Sequence, residues 1–193
     1  MQPTPAPTRY DSVARGFHWI VAALVVVQFL LAPIPENLPP GVRVNPPFGL
    51  AKLGLLAWHK NAGMTVLMLM VLRLLWRWRN APPDLPETMK PAARVLTRAT
   101  HIAFYVLLIA MPLSGWMMTS AKGSSARWFG IWTWPSLIGQ NAQAFGLFRA
   151  THGMLSRVLF FLALFHVAAA LKHHFWNKDG MLKRMLPSRR FAK

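Results

Sequence analysis

The chain contains no cysteine, and that absence removes several chemistries at once. Disulfides, thiolate metal centres, cysteine-held iron–sulfur clusters and the Cys-x-x-Cys-His attachment of c-type haem all need a sulfur that is not there. Acid is nearly as scarce: five Asp and Glu stand against 22 Lys and Arg in 193 residues, a formal net charge of +17. No catalytic acid–base pair or nucleophile stands out. So basic a chain invites a nucleic-acid reading, but no nucleic-acid module accompanies the charge. The basic residues lie instead at the ends of apolar runs, where lipid headgroups are the natural counterpart.

Charge is also missing from long stretches. Hydrophobic residues make up 54% of the chain, and residues 16–35 and 99–121 carry no Asp, Glu, Lys or Arg at all. Each approaches the span of a bilayer's hydrocarbon core, which takes about 20 helical residues. The run Phe17 to Ala32 has the length of a signal-peptide core, but it carries His18 and Gln28 and ends in Pro33-Ile34-Pro35 without a small-x-small site. It is read as a retained first span.

Four helices are expected, at about 14–32, 58–76, 97–118 and 151–175. Pro33 and Pro35 stop the first, the basic aromatic stretch Arg73 to Arg79 ends the second, and Pro112 offers the third a place to kink. The loop from about 120 to 150 is rich in tryptophan and phenylalanine and is expected to lie along the membrane surface. No internal repeat is evident. The expected fold is an all-α membrane protein, one domain over residues 1–193: an antiparallel four-helix transmembrane bundle with its functional groups in the core.

Orientation follows from the basic residues. Fifteen lie on the side shared by the N-terminus (Arg9, Arg15), the second linker and the tail from Lys172 to Lys193; six lie in the first and third loops. Positive residues favour the cytoplasm, so both termini are expected there, with the bundle in the cytoplasmic membrane.

That topology gives each histidine a depth. Ionisable or metal-binding side chains inside spans are expensive and usually functional. His18 and His101 begin helices that start inside, while His59 and His152 begin helices that start outside. His166 follows His152 by fourteen residues, nearly four turns, which puts both on similar faces about 21 Å apart. The outer level then holds only His59 and His152, one from each of two helices, as a six-coordinate iron with two axial imidazoles requires. At the inner level His166 can pair with His18 or His101, and spacing does not choose. Arg73, fourteen residues after His59, lies on the same face at inner depth. It can partner a haem propionate or simply anchor the inner interface, and Arg15 has the same two readings. Arg157, near mid-span in the fourth helix, is expected to find a partner, either a haem propionate or a polar group on a neighbouring helix.

The segments Gly16-Phe-His-Trp19, Trp58-His-Lys-Asn-Ala-Gly63, Thr151-His-Gly153 and Phe165-His-Val-Ala-Ala-Ala-Leu-Lys-His-His-Phe175 resemble the bacterial cytochrome b561 family. The resemblance covers essentially the whole chain, including the tail Lys178 to Leu186. It implies two non-covalent haem b groups with two axial histidines each: His18 with His166 for the inner iron and His59 with His152 for the outer. It also implies electron exchange with ubiquinone and ubiquinol, and some members oxidise superoxide outside the membrane and pass the electron to ubiquinone.

A quinone headgroup has a candidate site beside Lys172, His173 and His174, which equally read as a juxtamembrane basic cluster. Two other functions compete: a cytochrome b anchor subunit of a larger oxidoreductase, and a transporter using the same histidines without haem. Homo-oligomerisation is compatible with the sequence, and nucleic acid is not an expected partner.

Overall fold

The computed structural model describes residues 9–31, 52–86 and 89–186. The expected stop at Pro33 and Pro35, the first loop with Arg43, and the final basic residues Arg189, Arg190 and Lys193 lie outside the described residues. Four long apolar helices dominate: α1 (Ser12–Leu31), α2 (Lys52–Arg79), α3 (Pro91–Ala121) and α4 (Ala142–Lys172). Each contains a stretch long and apolar enough to cross a membrane. A two-stranded antiparallel hairpin, β1 (Ala126–Trp128) and β2 (Trp132–Trp134), joins α3 to α4.

Helix ends differ from expectation for local reasons. Asp11 caps α1, its Oδ1 accepting from Ala14 N at 2.8 Å, so the helix begins two residues early. Pro91 at the start of α3 brings a fixed φ suited to the first turn, and the helix then runs through Pro112 without interruption. The largest difference is in α4, which begins nine residues before the expected start. Asn141 caps it, accepting from Ala144 N at 2.9 Å. Phe145 and Phe148 therefore belong to a helix and not to the outer loop. The rest of that loop folds into the hairpin. Phe129 (φ 47°) and Gly130 (φ 74°) take its two left-handed turn positions, and Ile131 N donates to Trp128 O at 2.9 Å.

The hairpin is anchored on α2. Trp128 Nε1 donates to Thr65 Oγ1 at 3.0 Å, and Phe129 N donates to Asn61 Oδ1 at 3.0 Å. At the opposite end the chain folds back on itself. After α4 a π-helical turn (His173–Asn177) and a 3-10 turn (Leu182–Arg184) follow. Three donors around α1 then capture tail carbonyls: Arg9 holds Lys183 O at 2.7 Å, Arg15 holds Leu186 O at 2.8 Å, and Trp19 holds Met185 O at 2.9 Å.

Helices α1 and α2, α2 and α3, and α3 and α4 pack closely, whereas α4 makes little close backbone approach to α1 or α2. Side chains fill the middle of the bundle. Val21, Val66, Met70, Leu107, Leu108 and Leu159 form one buried cluster, with Met70 only 1% exposed. Leu30, Val106, Phe161, Leu164 and Phe165 are exposed, as suits faces whose solvent is hydrocarbon.

Of the two partners expected for Arg157, a polar group on a neighbouring helix is not found: the side chain is exposed, and among the described residues no hydrogen bond or ion pair involves it. It lies five residues inward of His152, about 7.5 Å along the axis, a distance over which a long side chain can snorkel back to the outer headgroups.

Truncating Met70 to alanine empties the centre of the cluster and is expected to cost about 2–5 kcal/mol. A lowered thermal unfolding midpoint in detergent is the readout; an unchanged midpoint would mean that the cluster does not hold the bundle together.

Candidate functional site

Four of the histidines meet in two pairs, and each pair bridges one of the gaps that α4 leaves. At the outer level His59 of α2 faces His152 of α4, with ring centroids 6.2 Å apart and planes at 77°. At the inner level His18 of α1 faces His166 of α4 at 6.4 Å and 63°. His101 of α3 stands 6.2 Å from His166 as well, so the inner level gathers three imidazoles, and distance alone does not select between His18 and His101.

The separation has a chemical meaning. Two imidazoles that share one metal ion, each through a bond of about 2.0–2.1 Å, have centroids a little over 6 Å apart. A direct ring-to-ring hydrogen bond of about 2.9 Å would draw them to about 5 Å. Among the described residues no three His, Cys, Asp or Glu side chains could together hold an ion. What the described residues do provide is imidazoles facing each other in pairs across a gap, two at the outer level and His18 or His101 with His166 at the inner.

The ring of His152 is set by α3. Its Nδ1 lies 3.2 Å from the carbonyl oxygen of Met111 and 2.9 Å from Ser114 Oγ, and the Ser114 hydroxyl itself donates to Met111 O at 2.7 Å. A carbonyl can only accept, so Nδ1 carries the proton and Nε2 keeps the lone pair a metal needs. Gly115 makes the approach possible: a Cβ there would come within 3.1 Å of His152 Cε1. Inward from this level lies the apolar cluster, with Leu159 seven residues from both His152 and His166. It separates the two histidine levels.

At the inner level Phe104 sets its ring edge against His166, with centroids 5.1 Å apart. The charge of Arg73 acts on His18, His101 and His166. Its guanidinium lies 5.6 Å from the centroid of Tyr105, and that of Arg77 lies over the same ring at the same distance. Arg15 is occupied by the tail carbonyl of Leu186. Lys172 ends α4 and is exposed. His173 is paired through Nδ1 with Asp179 Oδ2, and His174 lies against Phe175, centroids 4.8 Å apart.

The family model of prokaryotic cytochrome b561 matches residues 9–188. The chain belongs to the prokaryotic cytochrome b561 family. It is 32% identical over 185 residues to "Cytochrome b561 homolog 2" of Escherichia coli (strain K12), covering 95% of this chain and 94% of that protein. It is 28% identical over 186 residues to "Probable superoxide oxidase CybB" of Yersinia pestis, covering 94% and 98%. "Cytochrome b562" of Cereibacter sphaeroides is 26% identical over 181 residues, covering 93% and 96%.

As a cytochrome b561 the chain is an electron-transfer membrane cytochrome of haem b. Its residues fit that group. The two-donor pairs suit a metal that brings its own planar ligands, their spacing suits axial coordination, and the proton on His152 Nδ1 leaves the correct nitrogen for iron. Sequence reasoning missed Met111, Ser114, Gly115, Arg77 and Tyr105. The carbonyl of Met111 has no side-chain signature, whereas Gly115 could have been flagged as a small residue at a helix contact.

Replacing Gly115 with leucine forces the His152 ring off α3. Haem b content per chain is expected to fall while far-ultraviolet helicity stays unchanged; full haem content in the variant would mean that the contact does not position the ring.

Proposed function

We propose that this chain carries two haem b groups and moves electrons between the outer face of the membrane and the ubiquinone pool. His59 and His152 hold the outer iron, and His18 and His166 the inner iron. The observation that carries this reading is the pair of opposed imidazoles at 6.2 Å and 6.4 Å across the two gaps beside α4. Bound haem b supplies a one-electron iron couple, closed to oxygen ligation by its two axial histidines. The remaining work belongs to the chain. Met111 and Ser114 hold His152 in one tautomer, the layer around Leu159 keeps the sites apart and dry, and Arg73 offers the inner haem's propionate a cation.

Both termini are proposed to be cytoplasmic, on the charge distribution alone. At the outer end Lys60 and Lys122 lie close enough for their charges to interact, and Lys60 adjoins His59. Such a positive patch attracts a small anion. We infer superoxide as the donor there: two superoxide ions give two O2 and two electrons, and ubiquinone takes those electrons with two protons to become ubiquinol. Lys172, His173 and His174 are the proposed headgroup site. Asp179 accepts from His173 Nδ1 and so orients the ring, leaving Nε2 to accept from a quinol hydroxyl, and Lys172 adds a cation beside it.

Pyridine haemochrome analysis of the purified wild type should give close to two haems b per chain. Alanine at His59 or His152 should remove the outer haem, and alanine at His18 or His166 the inner, each leaving the other; alanine at His101 should leave both. Loss of the inner haem from His101→Ala but not from His18→Ala would exchange those roles. Superoxide should reduce the wild-type haem beyond a dismutase-treated control, and equality with that control would remove superoxide as donor. Substituting His173 and His174 together should slow haem reoxidation by a ubiquinone analogue; an unchanged rate would move the quinone elsewhere.

A further inference from the structure

The two histidines of the outer pair are held unequally. His152 gives its Nδ1 proton to α3, whereas Nδ1 of His59 is buried with no hydrogen-bond partner. That atom has essentially no accessible surface, so no metal can reach it. The nitrogen that faces iron is Nε2, and Nδ1 keeps the proton. A buried N–H without an acceptor loses its hydration and gets nothing in return.

A second orphan belongs to a side chain bonded to the same residue. Gln28, near the outer end of α1, donates from Nε2 to the backbone oxygen of His59 at 3.0 Å. Since a carbonyl can only accept, this bond fixes which way round the amide lies. Its other atom, Oε1, is buried and also has no partner. The amide lies in a groove that only glycine leaves open, because a Cβ at Gly63, one turn beyond His59, would come within 3.0 Å of Gln28 Nε2. One orphan is an acceptor and the other a donor, and the same amide already binds the residue that owns the donor. No other amide side chain lies in the charge-free run of residues 16–35.

We propose that Gln28 is the positioning residue of His59: its Oε1 accepts the Nδ1 proton when the imidazole binds iron, as Met111 O does for His152. The inference rests on His59 being an outer-haem ligand. An acceptor at Nδ1 fixes the ring and raises its basicity, which favours ferric iron and lowers the reduction potential. Gln28 thus tunes the outer haem without touching it.

The test is a redox titration of the two-haem protein with Gln28→Leu and Gln28→Glu. Leucine removes the acceptor, so the outer potential should rise, with about a tenfold or greater loss of outer-haem affinity, while the inner potential stays in place. Glutamate keeps an acceptor in either protonation state, so its outer potential should lie at or below that of the wild type, with the low-spin EPR signal of the outer haem following the same order. Shifts of the same sign in both variants, or no shift in either, would reduce Gln28 to packing and overturn the proposal. If leucine prevents outer-haem loading, the glutamate variant decides alone: an outer potential above the wild type's overturns the proposal. Failure of the ligand assignment itself reads differently, as His59→Ala protein that keeps both haems.

Discussion

Two histidines fourteen residues apart on one helix, each facing an imidazole on another helix, oblige that helix to stand away from both neighbours. The stand-off of α4 from α1 and α2 is the constraint from which the rest of the architecture follows. Because α4 cannot close on those helices, its main helix contact is with α3. That contact is correspondingly intimate: Gly115 lets the His152 ring touch the α3 backbone, and Met111 O accepts a hydrogen bond from the ring's Nδ1. In hydrocarbon no water can supply a missing partner, so a neighbouring helix must serve as the ring's hydrogen-bonding environment. The proposed role of Gln28 extends the same logic to α1 and α2.

The four spans and the family were legible in the sequence, because long charge-free runs and histidines at their ends leave few alternatives. The ends of the helices were less so. Asn141 and Pro91 are ordinary start signals, but each lies well outside the apolar window that defines a span, and the aromatic residues after Asn141 read as an interfacial loop until the cap is recognised. The outer histidine pair followed from depth. The inner level did not resolve: His18 and His101 are both helix-entry histidines of the same depth, and both reach His166 in the folded chain. The groups that orient the rings were hardest to see, because a backbone carbonyl such as Met111 O is available at every position and its use depends on which helix comes near.

The inner end obeys a different economy. A chain with so little acid cannot neutralise the arginines at this end with carboxylates. Arg9, Arg15 and Arg184 instead bind backbone carbonyls of distant segments. Arg73 and Arg77 share the face of Tyr105. Among the described residues the one carboxylate in an ion pair, Asp179, is spent on His173. The tail as far as Leu186 is thereby folded back beneath the inner histidines.

The apolar layer around Leu159 and Met70 has a consequence for energy conservation. If the two histidine levels hold the proposed haems, a dry hydrocarbon barrier between them would pass electrons by tunnelling and give protons no chain of hydrogen bonds to follow. An electron that crosses it therefore moves alone, through part of the membrane's field, against or with a potential worth about 2.3 kcal/mol per charge per 100 mV over the full thickness. Any proton consumed at the end of the journey must come from the compartment where the electron arrives. On the proposed function, the layer that stabilises the bundle would in this sense also be a capacitor, charged or discharged at each turnover.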